Sequence, residues 1–188
     1  MLIDITLKLT EEIIDKMVIH LEGKPFTGHV GTHVDVEGKA FPLEYSKREG
    51  ILFDVRGITE RDIEISDIDL DAVGPDMIVL FYSGFIEKEK YGSYVYEKKH
   101  PQLSDELIAA LLARHVSLIG FDFAGIRRPP EHGRNDILCA ENGTFNIENL
   151  CGLGQILSRG QKFTGYIMPL SMSENYTGLP CRVFAEMD

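Results

Sequence analysis

Between positions 29 and 35 the chain reads His29-Val30-Gly31-Thr32-His33-Val34-Asp35. Two imidazoles and a carboxylate gathered around a glycine are the ligand types that borderline divalent ions such as Zn²⁺ take. Spacing limits how they can meet. On a straight strand His29 and His33 would stand roughly 13 Å apart at about 3.3 Å per residue, too far to share one ion. The backbone must therefore bend near Gly31, which is free to take positive φ. His33 and Asp35, two residues apart on an extended segment, then project from one face. A polar turn followed by a strand with two incidental histidines is the plainer interpretation of the same residues.

The elements that must position this stretch can be followed along the chain. Leu2-Ile3-Asp4-Ile5-Thr6-Leu7-Lys8-Leu9 alternates apolar and polar residues as a half-buried strand does. Thr10 before Glu11, Glu12, Ile13 and Ile14 caps at most a helical turn, and Val18-Ile19-His20-Leu21-Glu22 reads as extended again. Two early strands with a brief turn between them are expected, with the histidine stretch as the third. Gly38 to Arg48 is irregular, broken at Phe41-Pro42. Gly50 to Val55 and Asp76 to Tyr82 are apolar runs of the kind covered on both faces. Ser66-Asp67-Ile68-Asp69 has alternating carboxylates but lacks the glycine and closing glutamate of a calcium loop, so it reads as a solvated loop. Glu87 to Lys99 mixes both charges with tyrosines and reads as an exposed excursion.

Ser104 is an N-cap for a helix whose Leu107, Leu111 and Leu112 share one face. Val116 to Phe123 follows as a strand, and the helix-then-strand order predicts a parallel crossover. The loop from Ala124 to Arg134 leaves that strand at its carboxyl end, a usual place for function. A short helix starting at Asn135 or Asp136 and running through Ala140 is expected next, then a turn at Asn142-Gly143 and a strand from Thr144 to Leu150.

At 188 residues and 44% hydrophobic content, the chain reads as one domain, 1–188, able to bury a core without disulfides or a structural metal. A net charge of -11 argues against nucleic acid as a partner. No apolar run approaches a membrane span, and Met1-Leu2-Ile3-Asp4 lacks the charged region of a secretion signal, so a soluble, cytoplasmic protein is expected. Cys139, Cys151 and Cys181 form no C-x-x-C pair and read as reduced thiols. His20, His100 and His115 have no partner at ligand spacing and read as structural or exposed. Neither a P-loop nor a G-x-G-x-x-G is present.

The histidine stretch resembles the signature of the cyclase family of metal-dependent hydrolases, which includes kynurenine formamidase and isatin hydrolase: His-x-Gly-Thr-His-x-Asp-x-Pro-x-His. The first seven positions match; Glu37 then stands where the family has proline and Lys39 where it has the last histidine. Ile147-Glu148-Asn149-Leu150 resembles the second signature, and the similarity continues through Phe163 to Leu170 and the closing Leu179 to Ala185. The resemblance implies an α/β fold of the swivelling β/β/α type, with a mixed, partly barrel-like sheet and peripheral helices, assembled as a homodimer or larger oligomer. It also implies that the loop from Gly38 to Arg48 closes over a substrate.

By the same resemblance His29, His33, Asp35 and Glu148 are the ligands of a first metal, a set that fits Zn²⁺ with Mn²⁺ as competitor. The second-metal histidine of two-zinc members falls on Asp136, an oxygen ligand in its place, with His132 one helical turn earlier as the alternative. Lys39 occupies the acid/base position. An unperturbed lysine is protonated at pH 7, so Lys39 can act only with a depressed pKa. Glu37 is the alternative base, and an ion pair between the two is the non-catalytic option. Two functions follow. One is hydrolysis of a small amide, lactam or ester by a metal-activated water, as in the arylformamidases of tryptophan breakdown; the other is a metal-binding homologue without catalysis. The chain has no tryptophan to face an aromatic substrate, leaving Phe26, Phe41 or Tyr45 for that place.

Overall fold

An unbroken apolar run such as Ile78-Val79-Leu80-Phe81-Tyr82 has no polar face to leave in water and needs cover on both sides. The computed structural model, which describes residues 1–20, 26–173 and 175–187, provides it with a closed sheet and outer helices. The strands are β1 (Leu2–Asp4), β2 (His33–Asp35), β3 (Lys47–Asp54), β4 (Ile78–Tyr82), β5 (Leu118–Phe121), β6 (Phe145–Glu148), β7 (Lys162–Pro169) and β8 (Gly178–Glu186). The helices are α1 (Glu11–His20), α2 (Phe85–Lys88), α3 (Tyr94–Lys98), α4 (Asp105–Ala113), α5 (His132–Glu141) and α6 (Gly154–Leu157).

The sheet runs β1-β8-β2-β6-β5-β4-β3-β7, and β7 also pairs with β8, so seven strands close into a barrel-like ring. Strands β3 to β6 are mutually parallel. The rest pair antiparallel, which makes the sheet mixed. β8 carries β2 and β1 in succession along one edge and β7 along the other.

Alternation along each strand sorts the core in two. Ile78, Leu80, Leu118, Ile147, Val34 and Val183 pack with one another inside the ring. Val79, Phe81, Ile119 and Phe121 face outward and are covered by Leu107, Ile108 and Leu111 of α4. Burying each of those three helix side chains contributes roughly 1.5–3 kcal/mol. α4 starts where expected, with the Ser104 hydroxyl accepting from the Leu107 amide at 3.1 Å. It makes the crossover between β4 and β5, which are parallel. Asp122, at the end of β5, accepts from the Ser83 amide (2.9 Å), the Ser83 hydroxyl (2.6 Å) and the Gly84 amide (2.7 Å), tying β5 to the end of β4. Burial pushes its pKa up to about 6, against those donors.

Three expectations are corrected. The first strand ends at Asp4, with pairing beyond it reduced to the Thr6–Leu150 bridge. No second early strand forms: residues 11–20 are helix α1, and Leu21 and Glu22 lie outside the described residues. Local chemistry explains the change. The Thr10 carbonyl accepts from the Ile14 amide at 3.0 Å, Glu11 and Glu12 sit in the positive first turn, and Glu12 pairs with Lys16 at 3.0 Å. Helix α5 begins at His132, a turn earlier than Asn135 or Asp136.

His100 is a buried structural histidine, while His115 is exposed. The His100 ring stacks on Phe123 at 5.8 Å, and its Nδ1 lies 2.6 Å from the Pro101 carbonyl. Burial pulls its pKa down to about 4, and the positive charges of His132, Arg128 and Lys98 act the same way. Below its ordinary value of about 6.5 the unfolded chain takes a proton that the folded chain refuses, so stability falls as pH drops from about 6.5 to about 4. At about 1.36 kcal/mol per pKa unit the full loss is roughly 3 kcal/mol. Urea unfolding at pH 7 and pH 4.5 should show a smaller acid loss in His100→Gln than in wild type. Equal losses would refute the assignment.

Candidate metal centre

The register of two strands builds the first half of the site. β2 lies antiparallel between β6 and β8, with His33 opposite Glu148 and Asp35 opposite Asn146. Val34 and Ile147 point into the ring, so His33, Asp35, Asn146 and Glu148 share its outer face. All four are at least 96% buried.

His29 reaches them by a bend in which Gly28 and Gly31 both have positive φ, +96° and +57°. A Cβ on Gly28 would lie 1.7 Å from the Gly178 carbonyl oxygen, so the bend admits no side chain there. The His29 ring is brought edge-on to His33 with centroids 4.8 Å apart. His29 Nδ1 lies 3.1 Å from His33 Nε2 and 3.0 Å from Asp35 Oδ1, and His33 Nε2 lies 3.2 Å from the same oxygen. The other ring nitrogens are engaged elsewhere: His29 Nε2 is 2.9 Å from the Thr177 hydroxyl and His33 Nδ1 is 3.0 Å from the Gly31 carbonyl. The carbonyl fixes Nδ1 of His33 as the protonated nitrogen and leaves Nε2 to ligate.

Helix α5 supplies the second half. His132 and Asp136, one turn apart, face Glu148, with His132 Nε2 3.1 Å from Asp136 Oδ2 and 3.1 Å from Glu148 Oε1. The Asn146 amide donates to Asp136 Oδ1 at 2.8 Å, leaving Oδ2 for the site. Glu148 turns its other oxygen, Oε2, to His33 Nε2 at 3.4 Å. Two donor groups result, His29–His33–Asp35 and His132–Asp136–Glu148, with the atoms of each within 4.8 Å of one another.

Both groups fit a metal ion. Neither Asp35 oxygen has a hydrogen-bond partner although both are buried. His29 Nδ1 and His33 Nε2 stand 3.0 and 3.2 Å from Asp35 Oδ1 without completing a hydrogen bond to it, so the three donor atoms are gathered as a cation would need them. Electrostatics agrees. Burial pulls His33 down, but Asp35 and Glu148 outweigh it and hold its pKa up at about 9. Burial likewise opposes His132, which Asp136 and Glu148 raise to about 11. Burial, with the neighbouring carboxylates Asp35 and Glu148, pushes Asp136 up to about 7 against the pull of His132. His33 and His29 depress Asp35 against its burial. The cluster demands positive charge, which the imidazoles supply as protons and a divalent ion would supply in their stead.

Glu37 and Lys39 lie in the turn after β2, closed by the Lys39 amide donating to the Val36 carbonyl at 2.8 Å. Glu37 is half-buried, two residues beyond Asp35, and its pKa is raised by burial and by Asp35 against His29 and His132; it does not line the cavity that opens on His29, His33 and Glu148. Lys39 is exposed, and no ion pair joins it to Glu37 among the described residues.

A cavity of about 540 Å³ reaches the cluster at His29, His33 and Glu148. Its walls come from α1, through Ile13 and Lys16, and from the excursion that runs from α2 through α3, with Lys90, Tyr91 and Tyr96. The loop from Gly38 to Arg48 does not line it; Phe41 and Tyr45 pack on each other and on Phe145 instead. Phe26 packs edge-on against Tyr176 and does not line it either. The aromatic wall of Tyr91 and Tyr96 was missed by sequence reasoning because charged neighbours mark that stretch as solvated. The tyrosines spaced among those charges were the available signal.

The Cyclase family model matches residues 3–127, which is 125 of 188 positions, and includes His29, His33 and Asp35 but ends before His132, Asp136 and Glu148. No curated protein sequence matches the chain. Among solved structures, a potential metal-dependent hydrolase with cyclase activity superposes with a TM-score of 0.73 at 20% identity, covering 98% of this chain and 96% of the other. Isatin hydrolase A from Labrenzia aggregata, bound to benzyl benzoate, gives 0.75 at 16% identity over 98% and 93%. A predicted metal-dependent hydrolase from Bacillus stearothermophilus gives 0.71 at 19% over 98% and 97%. At these identities the likeness establishes the common fold, and together with the family match it leads to one conclusion: this chain belongs to the cyclase family.

Proposed function

We propose that the chain is a metal-dependent hydrolase that cleaves an amide, lactam or ester bond of a small molecule, an arylformamidase-like activity, working in the cytoplasm as a homodimer or larger homo-oligomer. The observation that carries this reading is the donor cluster at the floor of an open cavity. A structural metal site is closed by its protein ligands, whereas a catalytic one keeps a side for substrate. Here the cavity reaches His29, His33 and Glu148. His29, His33 and Asp35 would hold one ion and His132 and Asp136 a second, with Glu148 between them. Zn²⁺ suits the nitrogen-rich first set, and Mn²⁺ is the competitor. When bound, such an ion supplies Lewis acidity, lowering the pKa of water and polarising a carbonyl oxygen.

The chain's own residues supply the rest. Tyr91, Tyr96, Ile13 and Val30 offer an apolar and aromatic wall for a flat substrate, with Lys16 and Lys90 beside them. Glu37, two residues beyond Asp35, takes the role of general base: its carboxylate accepts a proton from water as the oxygen attacks the carbonyl carbon. It returns that proton to the leaving nitrogen or oxygen as the bond to carbon breaks. Lys39, exposed in the same turn, takes no part.

A second reading, a metal-binding homologue without catalysis, is favoured by one observation, the exposed lysine where the resembling enzymes have their acid/base histidine. Assays against an N-formyl aryl amine, an aryl lactam and an aryl ester separate the two. Glu37→Gln should lower kcat by roughly 10²-fold or more, the usual worth of an acid/base group, and Lys39→Ala should change it less than about threefold. The opposite ranking would assign the base to Lys39. No turnover of any of the three by metal-loaded wild type would favour the second reading.

Elemental analysis of protein purified without chelator tests the centre itself. Wild type should hold up to two ions per chain. His33→Ala should lose the first and Asp136→Ala the second, and Glu148→Ala should lose both. Chelator treatment of wild type should lower its Tm, because an ion that binds only the folded chain stabilises it. Wild type without metal would refute the proposal.

A further inference from the structure

The bend that delivers His33 hangs on one residue, Gly31, whose backbone amide and carbonyl are both held by side chains of the site. The Gly31 amide donates to the Tyr91 hydroxyl at 2.8 Å. The Gly31 carbonyl accepts twice, from His33 Nδ1 at 3.0 Å and from the Asn149 side-chain amide at 2.9 Å. Asn149 is itself held, its Oδ1 accepting from the Tyr96 hydroxyl at 2.7 Å and its backbone carbonyl accepting from the Thr32 hydroxyl at 2.8 Å. Asn149 and Tyr96 are buried, and Asn149 adopts a left-handed φ of +59° that asparagine tolerates better than most residues. Tyr91 stacks edge-on against Tyr96 with centroids 5.6 Å apart, so the two hydroxyl contacts act as one brace.

We propose that Tyr91, Tyr96 and Asn149 are positioning residues for the metal ligand His33, acting on it through the backbone of Gly31, Tyr91 at its amide and Asn149 at its carbonyl. The argument is geometric. The Gly31 carbonyl sets which nitrogen of His33 carries the proton and how the ring is turned, so whatever fixes that carbonyl fixes the ligand. Without the Tyr91 hydroxyl the Gly31 amide loses its acceptor, and without the Tyr96 hydroxyl the Asn149 side chain is free to turn from Gly31. Partners standing behind metal ligands typically change metal affinity by 10–100-fold when removed. The excursion that runs from α2 through α3 thus has two tasks: it walls the cavity and braces the metal centre, so an occupant that displaces these tyrosines also loosens the metal.

This inference rests on the metal-centre reading, and the test keeps the two apart. Zn²⁺ affinity is measured by chelator competition for wild type, Tyr91→Phe, Tyr96→Phe and, as control, Tyr94→Phe, whose side chain is on the same excursion but largely exposed. The expected result is Zn²⁺ binding weakened about 10-fold or more in each of the first two variants and unchanged in Tyr94→Phe. A merely structural role would lower the Tm of the metal-free protein while leaving Zn²⁺ affinity as in wild type, and that outcome overturns the proposal. If either variant fails to fold, amide exchange in wild type decides: a protected Gly31 amide supports the brace, and one exchanging as fast as an exposed turn overturns it. Wild type without Zn²⁺ binding removes the metal-centre reading and this inference with it.

Discussion

Everything in the site depends on the pairing of β2 with β6. That antiparallel register sets His33 opposite Glu148 and Asp35 opposite Asn146, on the face away from the ring interior. Side chains alternate with a period of two, so a slip of β2 by one residue would send His33 and Asp35 into the apolar interior and Val34 outward, while Glu148 and Ile147 kept their faces. The penalty for that exchange falls on both faces at once. The polar cluster therefore lends the fold specificity of register as well as chemistry. β8 reinforces it by pairing with the free edge of β2 through His33, Val34 and Asp35.

The cluster is also a cost. Asp35, Asp136 and Glu148 bring three buried carboxylates together, and a buried charge without a partner is strongly destabilising. Three imidazoles answer them, one from each of the bend, strand β2 and helix α5. The raised pKa values of His33 and His132 measure how strongly positive charge is drawn to this place. The remaining polar atoms are absorbed by neighbours chosen one by one: Asn146 takes one oxygen of Asp136, and the Gly31 carbonyl takes the spare nitrogen of His33. Both oxygens of Asp35 and the Oδ1 of Asn146 stay without a hydrogen-bond partner, and Asp35 lies where the first three donors come together.

The strongest features of the fold were legible because they depend on local pattern. Ile78–Tyr82 and Leu118–Phe121 are too apolar to be anything but covered strands, and Ser104 marks the start of α4 through its own hydroxyl. The bend at Gly31 could be argued from the reach of two histidines alone. Ring closure could not, since it joins β8 to β2 and β7 to β3 across more than a hundred residues, and no spacing encodes that. Residues 11–20 misled because Val18 and Ile19 favour strands by side-chain shape, while the Thr10 cap and the acidic first turn, a smaller signal on the page, prevailed. Tyr91, Tyr96 and Asn149 were hidden for another reason: their roles lie in contacts to Gly31 and to each other, some 60 to 120 positions away or across an excursion that composition marks as solvent.

The departure after Asp35 also has a physical meaning that residue matching misses. In the resembling signature a proline stands at the position of Glu37, and proline holds φ near −65°. Here Glu37 has φ +48° and Gly38 +75°, successive left-handed residues of a tight turn that proline at position 37 cannot enter. The substitution of Glu37 for proline therefore changes the path of the backbone and not only a side chain. Lys39, the residue after the turn, is exposed. The same turn leaves Glu37 half-buried, two residues beyond Asp35, with its pKa raised first by burial and then by Asp35. The missing histidine and the glutamate are thus one event in the backbone: the left-handed turn that proline cannot enter is the turn that half-buries Glu37 and exposes Lys39.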